Sequence, residues 1–295
     1  MYKKVFAILL IVAMNLTLFS ITAQAGVMNS NTGLRITTNE YDYVELIATA
    51  DEKRLGQMGL TTETAEKMIT QFYEELDSRS LMSDEELYVK GYTSERIKLL
   101  RAYAAGAVLT DAEMRAITGS CEGEIIPYYC RATSAKFKYT WSWDQEPLIM
   151  LDDSAGMVWR AVNDEAEEIA VTTSSVTSQI KYYYGNVVKH TDPGDEEPGL
   201  EFSGVSIQFP MTYGFFTETN DYENAYAKEG YVTVIVNLED TVEAEINYVE
   251  VMGVYGHTIV GIGSPTLSLG GGLSASFTGN TQVDNTGEAH EIITR

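Results

Sequence analysis

The chain is short of cysteine, proline, histidine and positive charge, and each shortage removes a class of chemistry. With two cysteines, Cys121 and Cys130, and no C-x-x-C spacing, it lacks a thiol-redox motif. Six prolines beside 44% hydrophobic residues exclude a disordered composition. The three histidines, His190, His257 and His290, are too far apart to form a local ligand pair, and His290-Glu291 lacks the second His of a helical zinc-protease motif. No G-x-S-x-G, no G-x-x-x-x-G-K-[ST] and no G-x-G-x-x-G occurs, so no nucleophile elbow or phosphate cradle is written in the sequence. Lys and Arg number 20 against 43 Asp and Glu, and the formal charge of −23 repels phosphate backbones and anionic membranes. Nucleic acid is therefore not an expected partner.

Long apolar runs are also scarce. The one at Val5–Met14 follows Lys3-Lys4, is too short to span a bilayer, and precedes the small-x-small signature Ala23-Gln24-Ala25. Residues 1–25 read as a secretory signal peptide. Cleavage there would remove two lysines and no acid, making the chain more acidic still. In an oxidising compartment an even cysteine pair at close spacing is most simply one disulfide, Cys121–Cys130, closing a loop around Pro127 and contributing about 2.5–3 kcal/mol of chain entropy.

After a leader at 26–46, with one short strand at 33–38, three hydroxyl residues precede Glu by three: Thr49 with Glu52, Ser83 with Glu86, Thr110 with Glu113. Each spacing predicts a capping box, the last two with hydrophobic staples. The pattern L-x-x-x-G-[LY]-T-x-E occurs at Leu55–Glu63 and again at Leu87–Glu95, as if a left-handed Gly ended one short helix and a Thr capped the next. Ala65, Met68, Ile69, Phe72 and Leu76 share a helical face, as do Ile97, Leu100 and Ala104. A helical module over 47–118 follows, ending in a helix near 111–117. The export signal and acidity argue against a DNA-binding role for its helix-turn-helix pairs.

The run Ser83-Asp84-Glu85-Glu86-Leu87, then Gly91-Tyr92-Thr93-Ser94-Glu95-Arg96-Ile97 and Leu100-Arg101, resembles a helical segment of uncharacterised exported proteins of Gram-positive bacteria. That resemblance implies a β-rich C-terminal part and implies no activity.

Past a junction at 119–131, Lys136–Trp143 alternates aromatic with polar or small residues, the mark of a strand with one dry face. Short strands then recur between turn signals. They are expected at 148–151, 157–162, 169–184, 202–209, 231–238 and 242–254, with a turn at 152–156, an exposed loop at 190–199, a hairpin turn at 239–241 and a bulge near 249. A final hairpin is expected around Gly270-Gly271-Gly272. The fold class is α+β: a small N-terminal helical module followed by an antiparallel, jelly-roll-like β-sandwich at 132–295.

Tyr139, Trp141 and Trp143 could stack on sugar faces if their strand face were open, but an exposed row of that length would be an aggregation hazard, which favours the core. Tyr182-Tyr183-Tyr184 must turn at least one ring outward. Asp192, Asp195, Glu196 and Glu197 gather oxygens of the kind Ca²⁺ takes, without EF-hand spacing; no other cofactor is expected. Glu243 with Glu245 and Asp152 with Asp153 are carboxylate pairs of the type a glycoside hydrolase uses, here read as solvated surface. The expected function is a secreted, non-enzymatic interaction protein binding a protein or glycan at the cell envelope. The alternatives are a paired-carboxylate glycan hydrolase and a membrane-active β-protein, the latter resting on the polar alternation of 172–178.

Overall fold

A computed structural model describes residues 35–58, 60–198, 204–261, 266–270, 274–278 and 281–295, and their side chains except for 57, 195–198 and 259–290. The expected signal peptide lies outside them. Among the described residues no helix is long and apolar enough to cross a membrane.

The module contains α1 (Glu40–Thr49), α2 (Glu52–Gln57), α3 (Thr62–Ser80), α4 (Asp84–Val89), α5 (Ser94–Ala104) and α6 (Asp111–Ile117). Capping boxes close at Ser83–Glu86 and Thr110–Glu113, and Thr61 and Thr93 cap as the repeat requires. Hydrogen bonds from the cap hold the Glu86 and Glu113 carboxyls below the usual range. Gly91 is left-handed at φ +88, while Gly59 falls outside the described residues. The box expected at Thr49 does not form. Thr49 ends α1 with its hydroxyl on the Glu45 carbonyl, and Asp51 caps α2 instead. Met68, Phe72, Leu76, Ile97 and Leu100 form the module's core, whereas Ala104 is exposed.

The sandwich is built from β1 (Arg35–Asn39), β2 (Ser120–Arg131), β3 (Ser134–Trp143), β4 (Asp152–Val162), β5 (Glu168–Ile169), β6 (Val171–Tyr184), β7 (Val187–Asp192), β8 (Asp195–Pro198), β9 (Gly204–Pro210), β10 (Thr212–Phe216), β11 (Tyr222–Leu238), β12 (Tyr248–Gly261) and β15 (Thr281–Thr294). One sheet runs β1-β2-β3-β11-β6-β7 with β10 beside β11; the other runs β15-β12-β4-β9-β8 with β5 beside β4. The hairpin expected at 264–278 is β13 (Thr266–Gly270) with β14 (Ser274–Thr278). All pairings are antiparallel, and with the helical module the chain is α+β.

Strand β3 supplies the core. Ala135, Phe137, Tyr139, Trp141 and Trp143 are buried, and their rings meet the other sheet at Trp159, Phe209 and Tyr255. Two glycines make room for them. A Cβ on Gly253 would lie 2.3 Å from Tyr139 Cδ2, and one on Gly230 would lie 2.3 Å from Trp141 Cζ2.

Several expectations are corrected. Cys121 and Cys130 sit on one continuous strand, paired opposite Trp143 and Ala135 at its two ends. Their partners on β3 are eight residue steps apart, which separates the two cysteines by about 26 Å, far beyond the reach of a disulfide. No bridge forms, and residues 120–131 of the expected junction are strand β2. The helices are joined to the sandwich through residues 144–149 instead. Arg79 and Lys90 both reach the buried Glu146 carboxylate, at 3.2 and 2.6 Å, and Arg96 bonds Gln145 at 2.7 Å.

Leu148–Leu151 is no strand: it is apolar because Leu148 and Ile149 enter the helical core. Residues 239–242 do turn, the Val242 amide donating to the Glu239 carbonyl at 3.0 Å, but β11 and β12 do not pair, so residues 239–247 join no hairpin. They cross between sheets, with the Ile246 amide donating to Ala132 in one and the Asn247 amide to Val162 in the other. Along β12 the register shifts fall between Val254 and Gly256 and between Thr258 and Val260, not near 249. The loop expected at 190–199 is mostly strand, β7 and β8 joined at Pro193-Gly194.

Candidate functional site

Two clusters of chemistry-bearing side chains stand out, one sealed and one open. The sealed one gathers at the meeting of the helices with both sheets. Asp153 on β4 accepts from Tyr255 Oη at 2.6 Å and from the Thr258 amide at 2.9 Å, and faces His257 Nδ1 at 3.0 Å. On the far side of the ring His257 Nε2 is 3.6 Å from Glu40 Oε1. Glu40, at the start of α1, also accepts from the amides of Gly119 and Leu148, at 2.9 and 2.8 Å. Trp143 Nε1 completes the chain, donating to Tyr255 Oη at 2.9 Å.

Burial alone would lower the His257 pKa, but the facing Asp153 charge and hydrogen bond, with Glu40 behind, raise it to about 10. That shift favours the protonated ring, with Asp153 on Nδ1 and Glu40 facing Nε2 from beyond hydrogen-bond distance. With Asp153 and His257 at 0% exposure and Glu40 at 2%, the cluster is closed to solvent. It ties α1 and the 147–149 segment to β4 and β12. This also explains why Asp152–Gly156 forms strand where a turn is expected: the buried Asp153 has its partners inside.

The open cluster is at one end of the β6–β7 and β10–β11 hairpins. Tyr213 on β10 stacks on His190 of β7, centroids 4.0 Å apart and 8° from parallel. Strands β6 and β11 lie between them. Tyr182 packs beneath, 5.8 Å from each ring, its hydroxyl on the Pro210 carbonyl. On β11, Ala225 pairs with Tyr213 and Ala227 with Tyr182, and both alanines are buried. Beside them Phe215 and Tyr184 meet edge to face at 5.3 Å, with the Lys189 ammonium 5.0 Å from the Phe215 centroid. Phe216 and Tyr222 form a further edge-to-face pair at 5.4 Å and are 67% and 63% exposed. Val187 and Val188 are exposed on the neighbouring hairpin. The Tyr184 pKa is raised by burial and by Glu223 and Glu86.

The structure removes Tyr139, Trp141, Trp143 and Tyr182 from any stacking platform, because all four are buried against other rings. Tyr184 lines the open cluster. Tyr183 turns to the opposite sheet face and donates to Glu229 at 3.1 Å, sharing that carboxylate with Lys181. Asp192 accepts from the Gly194 amide at 2.9 Å, and the side chains of Asp195, Glu196 and Glu197 lie outside the described residues. Glu243 and Glu245 are exposed, and Glu245 pairs with Arg295. The rings that sequence reasoning missed, Tyr213, Phe215, Phe216 and Tyr222, lie in one stretch after Pro210. Its signal is a run of apolar and small residues, Thr-Tyr-Gly-Phe-Phe, with no charge to mark it as a solvated edge.

No family model and no curated protein matches the chain. Among solved structures, 59% of it aligns with 88% of a chain described as “AvmM Catalyzes Macrocyclization in Alchivemycin A Biosynthesis”, at 11% identity and a TM-score of 0.22. A likeness that loose carries no argument about fold or activity.

Proposed function

We propose that this is an exported, non-enzymatic interaction protein that binds a protein or glycan at the cell envelope through the aromatic end of its sandwich. The observation that carries the reading is the open cluster gathered where two hairpins end, in which Tyr213, Phe216 and Tyr222 are exposed beside a half-buried Phe215. Aromatic rings offer large contact area at small entropic cost, and they dominate the centres of binding surfaces. The N-terminal sequence supplies the route to the envelope, and the acidity disfavours polyanionic partners.

Cell-wall pull-down and glycan-array binding test it, using the exported chain and its Phe216→Ala and Tyr222→Ala variants. The wild type is expected to be retained, and both variants to lose retention while keeping their unfolding midpoints. Retention unchanged in both variants, or absent in the wild type, would refute the reading.

A further inference from the structure

Strand β10 has an open edge. The Ala227 amide donates to the Met211 carbonyl at 2.9 Å, and the Thr217 amide donates to the Asp221 carbonyl at 2.9 Å. Between these fixed points the antiparallel register makes Tyr213 with Ala225 and Phe215 with Glu223 the hydrogen-bonded pairs. Thr212, Gly214 and Phe216 therefore direct their amides and carbonyls away from β11. Among the described residues β10 pairs with β11 alone. Thr212, Tyr213 and Phe216 are exposed, and among the described residues this five-residue strand carries no charge of its own and no bulge, and no second strand pairs with it.

The surroundings select the occupant. The hairpin from Pro210 to Ala227 carries Glu218, Asp221 and Glu223, against which stand Lys228 just after it and the Lys189 ammonium 5.0 Å from the Phe215 centroid, so the surroundings keep an acidic excess. A second copy of this chain would set the same acids against each other, on top of a formal charge of −23 on each. We infer that β10 accepts an extended, Lys- or Arg-bearing segment of another protein as an added strand, its backbone bonding Thr212, Gly214 and Phe216. Alternate side chains of the guest would lie beside Tyr213 and Phe215 on one face and beside Phe216 and Tyr222 on the other. This rests on the proposed interaction role and narrows its partner to a basic protein segment.

The probes are fluorescein-labelled heptapeptides: Lys-Val-Lys-Val-Lys-Val-Lys, its Glu counterpart, and the Lys peptide N-methylated at alternate residues. They are titrated into the exported chain by fluorescence anisotropy. The Lys peptide is expected to bind and the Glu peptide not to. N-methylation is expected to weaken binding roughly tenfold or more, since it removes backbone hydrogen bonds and leaves the charge. Thr212→Pro deletes one outward amide without touching the β11 ladder and should weaken the Lys peptide similarly. Phe216→Lys, at an exposed site, should abolish binding with the fold intact.

Equal binding of the N-methylated peptide would mean charge attraction alone and would overturn the inference. So would a concentration-dependent dimer that Thr212→Pro dissolves. Wall retention without binding of any peptide would sink the added-strand inference and leave the interaction role standing. Neither retention nor peptide binding would remove both.

Discussion

Replacing His257 by Gln tests the sealed cluster through its pH dependence. The folded state holds the His257 proton to about pH 10 against an ordinary 6.5, a difference worth about 5 kcal/mol for a group with no solvent exposure. The folded state binds this proton more tightly than the unfolded chain. The contribution is therefore complete below about pH 6.5 and fades as pH rises, leaving roughly 3 kcal/mol at pH 8 and under about 1 kcal/mol at pH 9.5. In His257→Gln the two carboxylates lose their shared cation, a change that costs on the order of 3–5 kcal/mol when a buried pair is broken.

Urea unfolding followed by tryptophan fluorescence reads the difference, since Trp143 lies 4.8 Å from the imidazole. The gap between wild type and variant is expected to be widest at pH 6 and to close towards pH 9.5. Lys and Tyr residues elsewhere titrate alike in both proteins and cancel. Parallel curves over that range would refute the imidazolium assignment.

The other predictions concern the core, the caps and the thiols. Gly253→Ala drives a methyl into Tyr139 and should destabilise by about 1–3 kcal/mol in denaturant melts, with Gly230→Ala behaving alike against Trp141. An unchanged midpoint would contradict the packing. Ser83→Ala and Thr110→Ala each remove a capping-box hydroxyl and should cost about 1 kcal/mol. Thiol titration of denatured, unreduced protein should find both Cys121 and Cys130, and a value of zero would contradict the strand that separates them.

What the sequence made legible was local. Thr93, Ser83 and Thr110 cap where their spacing says, and the period-two aromatics of β3 face one core, because both signals are decided within a few residues. What stayed hidden depends on distant partners. Asp153 reads as a turn residue until His257 and Tyr255 arrive from another strand, and Leu148-Ile149 reads as a strand until the helices close over it. The cysteine spacing looked like a loop closure because it says nothing of the extended backbone between the two residues. Of the Tyr182–Tyr184 run, Tyr182 is buried and Tyr183 and Tyr184 are half-buried. The open cluster needed Tyr213, Phe215 and His190, which only the curl of one sheet brings alongside.

Hydrogen–deuterium exchange of the chain, with and without isolated cell envelopes, examines the central claim most directly. Protection is expected at residues 212–222 and along the 184–190 hairpin, with the helices of residues 40–117 unchanged. Protection confined to those helices, or none anywhere while the chain co-sediments with the envelopes, would contradict a contact made by the aromatic end.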